Sequence, residues 1–240
     1  GAATPIAESD VIIPGGTAGT YTVSEKDGVT TVTLTGNITL TQTWTISEND
    51  SVILDLAGYT LTAVEKVVAI KNEGELTIQD SGNGGKVSGL RGVDNYGNLT
   101  LEGGTITTTD YITGAGACVL MQANHASFVV ENGKVCPEES SNVNVYSVSS
   151  TNAGTGMNLT LSGGEIGKIL LNGLNYTLTI SKEAGNDSDV TVGAITANTN
   201  PLSGPRSYTL NLYSGTIESL PNKNDSKITY AAVGALIKSV

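Results

Sequence analysis

The sequence predicts an all-β chain in which short strands stack in a solenoid. A motif of alternating apolar residues, a glycine-containing bend and a further apolar residue recurs along most of the 240 residues. Thr, Val, Ile and Leu are abundant, and aromatic residues make up only 5% of the chain, a composition that favours strands. The early copies of the motif lie 22 or 23 residues apart, and a constant spacing of this size is typical of repeat architectures.

The motif is clearest in Asn98–Ile106, which reads NLTLEGGTI. Because side chains alternate across a strand, Leu99 and Leu101 are predicted to face a core, whereas Asn98 and Thr100 face outward. The two glycines that follow are predicted to let the chain turn. Eight copies are found, in Val32–Leu40, Leu54–Leu61, Leu76–Val87, Leu99–Ile106, Phe128–Val135, Leu159–Ile166, Leu178–Val190 and Leu210–Ile217.

The spacing of the copies is regular at first and variable later. Between successive second apolar positions the first three steps are 22, 22 and 23 residues, and the later steps range from 19 to 32. Loop insertions on one side of a solenoid would produce this variation. The positions counted are Leu34, Leu56, Ile78, Leu101, Val130, Leu161, Ile180 and Leu212.

Three asparagines share a second register. Asn72, Asn95 and Asn124 each lie four residues before the first apolar position of their copy. Asn tolerates left-handed turn geometry, and its amide can hydrogen-bond the backbone of the next repeat. These residues are therefore predicted to form an internal asparagine ladder, with a ligand-binding role as the alternative.

Other repeat and sheet architectures fit less well. Leucine-rich repeats have a similar period but need an L-x-x-L-x-L-x-x-N consensus, which is missing here, and a sustained helical periodicity is missing too. A propeller blade needs about 40 residues and several hairpins, and an immunoglobulin-like sandwich would not explain the aligned glycines. A calcium-binding β-roll requires an Asp that Gly82–Val87 lacks.

The motifs resemble those of right-handed parallel β-helices of the pectin-lyase-like superfamily. LDLAGYTLT (Leu54–Thr62) and NYGNLTLEGG (Asn95–Gly104) are similar to the Gly/Thr-rich coils of surface proteins from gut bacteria. The resemblance covers roughly residues 30–220 and implies a single-stranded right-handed parallel β-helix of about 8–9 coils, stacked at the strand spacing. It implies no single activity, because that superfamily contains enzymes, adhesins and structural stalks.

The resemblance also suggests a division of the chain. Residues 1–30 are predicted to form an N-terminal cap and first strand, and residues 31–220 the parallel β-helix. Residues 221–240, which are apolar from Tyr230 onward, are predicted to form a final coil or a cap.

Charge and cysteine content limit which partners and which cellular compartment are expected for this protein. A net charge of −11 argues against nucleic acid, because phosphate binding needs basic patches. No apolar run is long enough to span a membrane. Together with the Thr/Asn/Gly-rich style, the charge indicates an extracellular or bacterial cell-surface protein. Cys118 and Cys136 lack the company of a zinc site and leave two alternatives open, a disulfide or two buried thiols.

The site chemistry of the superfamily's well-known enzymes is missing from the sequence. Enzymes of the polygalacturonase type use an adjacent Asp pair with a Gly-His-Gly element. This chain has no adjacent Asp pair, and its single histidine, His125, lies in ANHAS. Pectate-lyase-type elimination needs an Arg or Lys base beside carboxylates that hold Ca²⁺. Arg91 and Arg206 are the only arginines, both predicted in loops and away from acidic clusters.

Two groups of residues remain as candidates for a site. Glu102 and Glu131 follow the second apolar position of successive copies, so stacking would set them roughly 5 Å apart, a separation suited to a retaining glycosidase pair or a cation. The alternative is two solvated glutamates at a turn. Asp94, Tyr96, Asp110 and Tyr111 combine the types that a sugar-binding groove uses, and they are the candidate binding residues.

These observations predict a secreted or cell-surface, non-catalytic module for adhesion, glycan contact or rigid spacing. The alternative is a polysaccharide lyase or glycoside hydrolase that acts on an extracellular polysaccharide. No cofactor and no metal site are expected. The expected partner is an extracellular glycan or a host surface, and the chain is expected to act as a monomer or as part of a longer surface protein.

Overall fold

The computed structural model describes residues 13–17, 19–109, 116–137, 145–181, 190–200, 205–222 and 224–239. All regular structure within these ranges is β-strand, in 25 segments. In this part of the chain no helix is long and apolar enough to cross a membrane. The first twelve residues of the predicted N-terminal cap lie outside the described ranges.

The strands pair into three stacks. The first stack runs through β1 (Tyr21–Lys26), β2 (Val29–Leu34), β5 (Ser51–Asp55), β8 (Glu75–Gln79), β11 (Asn98–Leu101), β14 (Ser127–Val130), β17 (Met157–Leu161), β20 (Asn175–Ile180), β22 (Ser207–Leu212) and β24 (Ile228–Val233). The second runs through β3 (Ile38–Leu40), β6 (Thr60–Ala63), β9 (Lys86–Ser88), β12 (Thr105–Ile106), β15 (Lys134–Val135), β18 (Glu165–Ile166), β21 (Thr191–Ala197), β23 (Thr216–Ser219) and β25 (Leu236–Ser239). The third runs through β4 (Trp44–Ile46), β7 (Ile70–Asn72), β10 (Val93–Asn95), β13 (Ala117–Met121), β16 (Tyr146–Ser150) and β19 (Ile169–Leu171) and ends on β21.

Almost all neighbours within these stacks are parallel. The exception is β1, which pairs with β2 in antiparallel register. The long strand β21 joins two stacks, because Thr191 and Val192 pair with β18 whereas Ile195 pairs with Ile169 of β19. The chain is therefore all-β with large parallel sheets, an arrangement compatible with a β-solenoid.

Apolar residues from successive strands line up to form the core. One such row in the first stack is fully buried and consists of Ile78, Leu101, Val130, Leu161, Ile180 and Leu212. The row continues toward the N-terminus through Leu54 and Val32. Leu56 and Leu34, which the motif spacing places in this row, lie two residues further along their segments. That part of the predicted alignment is wrong, because the first two copies each have one more apolar residue between this row and their bend than the later copies have.

The two ends of the stacks differ in how they are covered. At the N-terminal end, β1 lies over the edge of β2, and Ile13 is fully buried. Gly15 has φ of 89°, and a Cβ there would lie 2.1 Å from the carbonyl oxygen of Thr39 in β3, so the segment packs directly on the second stack. At the other end, β25 pairs with β23 and leaves Leu236 65% exposed.

Candidate functional site

Glu102 and Glu131 lie side by side at the corner between the first and second stacks. Leu101 of β11 pairs with Val130 of β14, and each glutamate is the next residue. The backbone N–H of Glu131 donates to the carbonyl of Leu101 at 2.9 Å. The Glu102 side chain is exposed and the Glu131 side chain is half-buried. Register places Gln79 before this pair, so the row holds an amide there instead of a third carboxylate.

Asp94 lies on the outward side of the third stack, where Arg91 covers it. The guanidinium donates from Nε to Oδ1 at 2.5 Å and from Nη2 to Oδ2 at 2.8 Å. Both carboxylate oxygens are thus engaged in the two-point geometry that arginine favours. Arg91 thus meets one carboxylate, that of Asp94, because a three-residue separation at the start of β10 brings the two side chains together.

Tyr96 follows Asp94 at the end of β10 and is 37% exposed. Lys71 of β7 places its Nζ 5.0 Å from the centroid of the Tyr96 ring, a cation–π contact. The same ammonium forms an ion pair of 2.6 Å with Glu73, and the hydrogen bond to this carboxylate raises the pKa of Lys71 above its ordinary value. Asp110 and Tyr111, the other two predicted binding residues, lie outside the described residues.

Among the described residues, the charged groups around Tyr96 form two ion pairs, Lys71–Glu73 and Arg91–Asp94. An exposed aromatic ring beside such pairs can stack on the apolar face of a sugar, while the charged groups exchange hydrogen bonds with hydroxyls. Both oxygens of Asp94 already accept from Arg91. The cluster therefore offers an exposed aromatic ring beside paired charged groups, an arrangement that can bind a sugar.

Two of the three predicted ladder asparagines meet inside the protein. Asn72 and Asn95 are fully buried and directly paired in register, and Nδ2 of Asn72 donates to Oδ1 of Asn95 at 2.8 Å. Asn95 in turn donates from Nδ2 to the carbonyl of Ser127 at 2.8 Å. Asn124 does not extend this pair: the residue in register with Asn95 is Met121. Asn124 is instead exposed and accepts from the backbone of the turn at residue 155.

A second amide network, which the sequence analysis missed, surrounds Arg206. This side chain is buried, and its Nη1 donates to Oδ1 of Asn172 at 3.1 Å and to the carbonyl of Gly173 at 2.9 Å. Nη2 donates to Oδ1 of Asn152 at 3.3 Å, and Asn198 donates to Asn172 at 3.0 Å. The signal in the sequence was the repeated placement of Asn just after a strand of the third stack.

The outward side of the first stack carries two continuous rows of side chains from β8 to β22. These residues are exposed or half-buried, and apart from Glu75 they are uncharged. One row consists of Thr77, Thr100, Val129, Thr160, Thr179 and Asn211, and the other of Glu75, Asn98, Ser127, Asn158, Thr177 and Thr209. Adjacent members are linked in places, as where Ser127 donates to Oδ1 of Asn98 at 2.7 Å.

The outward row of the second stack differs in charge. It consists of Thr60, Lys86, Thr105, Lys134, Glu165, Thr191 and Thr216. Lys134 and Glu165 form an ion pair of 3.0 Å there. The first stack therefore presents a surface of hydroxyls and amides, whereas the second presents charges.

The cysteines and the histidine do not belong to these outward rows. Cys118 and Cys136 are free thiols, and Cys118 is buried. Burial is the main cause that raises the pKa of Cys118 well above its ordinary value, and the nearby Cys136 is a smaller cause. His125 lies at a turn with φ of 62°, and its backbone N–H donates to the carbonyl of Thr155 at 2.9 Å. Among the described residues, no three His, Cys, Asp or Glu side chains are grouped so that they could hold a metal ion.

In the comparisons with known proteins, no family model, no curated protein and no solved structure matches this chain.

Proposed function

We propose that this chain is a right-handed parallel β-helix of about eight to nine coils, similar to the pectin-lyase-like superfamily, and that it works as a non-catalytic glycan-contact module. Three stacks whose strands pair in parallel, apart from β1, support the proposed architecture. The repeated LDLAGYTLT and NYGNLTLEGG motifs support the likeness. The proposed setting is outside the cell or on a bacterial surface, as a monomer or as part of a longer surface protein.

The observation that carries the functional proposal is the uncharged outward face of the first stack. Its two rows repeat hydroxyl and amide groups at the strand spacing of about 4.8 Å, and the rows lie about 7 Å apart along each strand. An extended polysaccharide presents hydroxyls along its length in a similar way. Many weak hydrogen bonds along one chain add up to useful affinity through multivalency, without a deep pocket.

The charge distribution indicates which glycans fit. The protein carries a net charge of −11, so a polyuronate meets general repulsion. The first-stack face itself offers no row of cations to offset that repulsion, since its only charged member between β8 and β22 is Glu75. We therefore propose neutral polysaccharides or neutral host-surface glycans as the partners.

One observation favours a second candidate function. Glu102 and Glu131 lie on adjacent strands in the same register, the arrangement expected of a carboxylate pair in a retaining glycoside hydrolase. The corresponding alternative is a hydrolase or lyase that acts on an extracellular polysaccharide at the corner between the first and second stacks.

A panel of insoluble and soluble polysaccharides, scored for both retention and product release, distinguishes the two functions. The module predicts that the protein is retained by one or more neutral polysaccharides, competitively with the soluble form, and that no reducing or unsaturated ends appear. Release of such ends would contradict the module. Failure to be retained by any neutral glycan in the panel would contradict glycan contact.

A further inference from the structure

A cleft of about 270 Å³ lies between the C-terminal end of β21 and the segment that follows β23. Its lining combines apolar side chains with hydroxyls, one amide and one carboxylate. The residues that matter to its chemistry are Ile195, Ala197, Thr199, Ser219, Leu220 and Asp225. Ligand sites in proteins combine apolar walls with a few placed polar groups in this way, and the volume is near the small end of their range.

Hydrogen bonds from residues around the cleft hold several of its polar groups in place. Lys227 donates from its backbone N–H to Oδ1 of Asp225 at 2.9 Å and from Nζ to the carbonyl of Thr199 at 2.5 Å. Behind Thr199, the Tyr208 hydroxyl donates to the carbonyl of Asn198 at 2.8 Å. A cleft whose groups are already positioned loses little conformational entropy when a ligand binds.

The opposite side of the cleft is fixed in a similar way. The hydroxyl of Tyr230 in β24 donates to the carbonyl of Pro221 at 2.9 Å, which anchors the segment that leaves β23. Ile195 belongs to the buried core, so the apolar floor is continuous with the packed interior. The cleft is thus built from the strands themselves and from one short, anchored segment.

Asp225 gives the cleft its charge. The backbone N–H of Lys227, followed by the Thr199 hydroxyl and the Lys227 charge, lowers the pKa of this carboxyl below its ordinary value. It is therefore ionised at neutral pH and acts only as a hydrogen-bond acceptor. An ionised carboxylate accepts strongly from the adjacent hydroxyls of a sugar. The net charge of −11 of the whole protein disfavours an anionic sugar.

We infer that this cleft binds one neutral hexopyranose unit. Asp225 accepts hydrogen bonds from two adjacent hydroxyls, and the side chains of Ala197 and Leu220 contact the C–H face of the ring. The inference rests on the proposed function only for the class of ligand, since the cleft lies away from the first-stack face. It adds a site for a chain end or a single branch to a surface that contacts extended chains.

The test is an NMR titration of the full chain with methyl glycosides of glucose, mannose and galactose, and with glucuronate. We expect at least one neutral glycoside to shift the amide signals of Thr199 and Asp225, and glucuronate to leave them unchanged. Asp225→Asn is expected to weaken binding about tenfold by removing the charged acceptor. Ser219→Leu, which fills the cleft but keeps the carboxylate, is expected to abolish it. The matched control is Asp27→Asn, at the exposed β1–β2 turn, which should bind as the parent does.

Three results would overturn the inference. The first is that no neutral glycoside shifts the amide signals at about 50 mM, a concentration above the dissociation constant of a useful weak site. The second is that glucuronate binds equally well. The third is that binding survives both Asp225→Asn and Ser219→Leu while the unfolding midpoints of the two variants are unchanged. The retention panel separates this inference from the proposed function. If Asp225→Asn and the parent are retained equally on polysaccharide and no glycoside binds at the cleft, only the sugar site in the cleft is contradicted. If a glycoside binds at the cleft and no polysaccharide retains the protein, only glycan contact through the outward face of the first stack is contradicted.

Discussion

Nδ2 of Asn72 donates a 2.8 Å hydrogen bond to Oδ1 of Asn95, which occupies the same position on the next strand of the third stack. The side-chain amide of Asn95 donates in turn to the backbone carbonyl of Ser127. Both side chains are fully buried, so these bonds satisfy both Nδ2 groups and Oδ1 of Asn95, which would otherwise be costly to bury. Among the described residues, Oδ1 of Asn72 has no partner. The amide pair therefore joins three successive turns of the chain from the inside.

Replacing Asn95 with Ala is expected to lower the free energy of unfolding by about 2–4 kcal/mol, because it leaves a buried carbonyl and an amide of Asn72 short of partners. Urea unfolding followed by circular dichroism measures the loss. The control is Asn124→Ala, at an exposed position outside the ladder, which is expected to cost less than about 1 kcal/mol. Equal losses in the two variants would contradict an internal ladder made by Asn72 and Asn95.

The first two members of this ladder could be predicted from sequence, and the third could not. Asn72 and Asn95 are aligned by equal distances to their following strands, and the turns between are alike. The turn before β14 differs, because His125 adopts a left-handed conformation and Ala126 is buried. That change lets Met121 take the ladder position while Asn124 faces solvent.

The alternation within each copy was sufficient to predict which residues form the core. Leu99, Leu101 and Ile106 are fully buried, as the motif indicates. Contacts between segments distant in sequence were harder to anticipate. The Arg206 network joins residues more than 30 positions apart. The repeated Asn after strands of the third stack is visible in the sequence, but nothing there links these asparagines to Arg206. The cleft beside Asp225 depends on the same kind of long-range packing.

A glycine at the turn into β11 is predicted to be essential for stacking. A Cβ at Gly97 would lie 2.2 Å from the carbonyl oxygen of Gly74 on the preceding turn. Gly97→Ala is therefore expected to cost about 2 kcal/mol or more, because backbone on both sides must move. The measurement is the shift of the thermal unfolding midpoint.

Gly36 serves as the matched control for this substitution. A Cβ at Gly36 would meet nothing nearer than Cγ2 of Thr20 at 3.8 Å. Gly36→Ala is expected to leave stability unchanged or to raise it by up to about 1 kcal/mol through the unfolded state. A Gly97→Ala protein as stable as the Gly36→Ala protein would mean that the turns do not approach as closely as the structure has them.

Acid is predicted to destabilise the protein through Asp55. Burial alone would raise the pKa of this carboxyl, but hydrogen bonds from Ser81, from the Ala57 backbone and from the Gln79 amide lower the pKa below its ordinary value. A lowered folded-state pKa contributes stability that is present above the unfolded value of about 4 and is lost as pH falls through the folded value. Unfolding free energies measured from pH 7 down to about pH 2 should therefore fall below about pH 4.

Asp55→Asn identifies the source of that pH dependence. The variant is expected to be less stable than the parent at pH 7, where the carboxylate accepts from Ala57 and Ser81 at 2.9 and 3.0 Å. The difference should narrow as the parent's carboxylate becomes protonated. A constant difference across the whole range would show that another group causes the acid sensitivity.

The paired glutamates are predicted to be dispensable for glycan contact. Glu102→Gln with Glu131→Gln keeps the size of both side chains, removes their charge and replaces one acceptor oxygen of each with an N–H donor. Retention on the polysaccharide bound by the parent is expected to stay within about twofold, because the pair lies at the corner and not on the first-stack face. Product release by the parent that disappears in this double variant would favour the hydrolase instead.

The most direct test of glycan contact removes hydroxyls from the first-stack face without altering its shape. Thr→Val at positions 77, 100, 160 and 179 keeps β-branched side chains in the strands and removes four outward hydroxyls. The control makes the same change at four outward threonines of the second stack, positions 60, 105, 191 and 216. The measurement is the affinity of both variants and the parent for the retained polysaccharide. We predict that the first-stack variant loses at least about tenfold in affinity, whereas the second-stack variant stays within about twofold of the parent. Equal affinity in all three proteins, or an equal loss in both variants, would contradict glycan contact through the first stack.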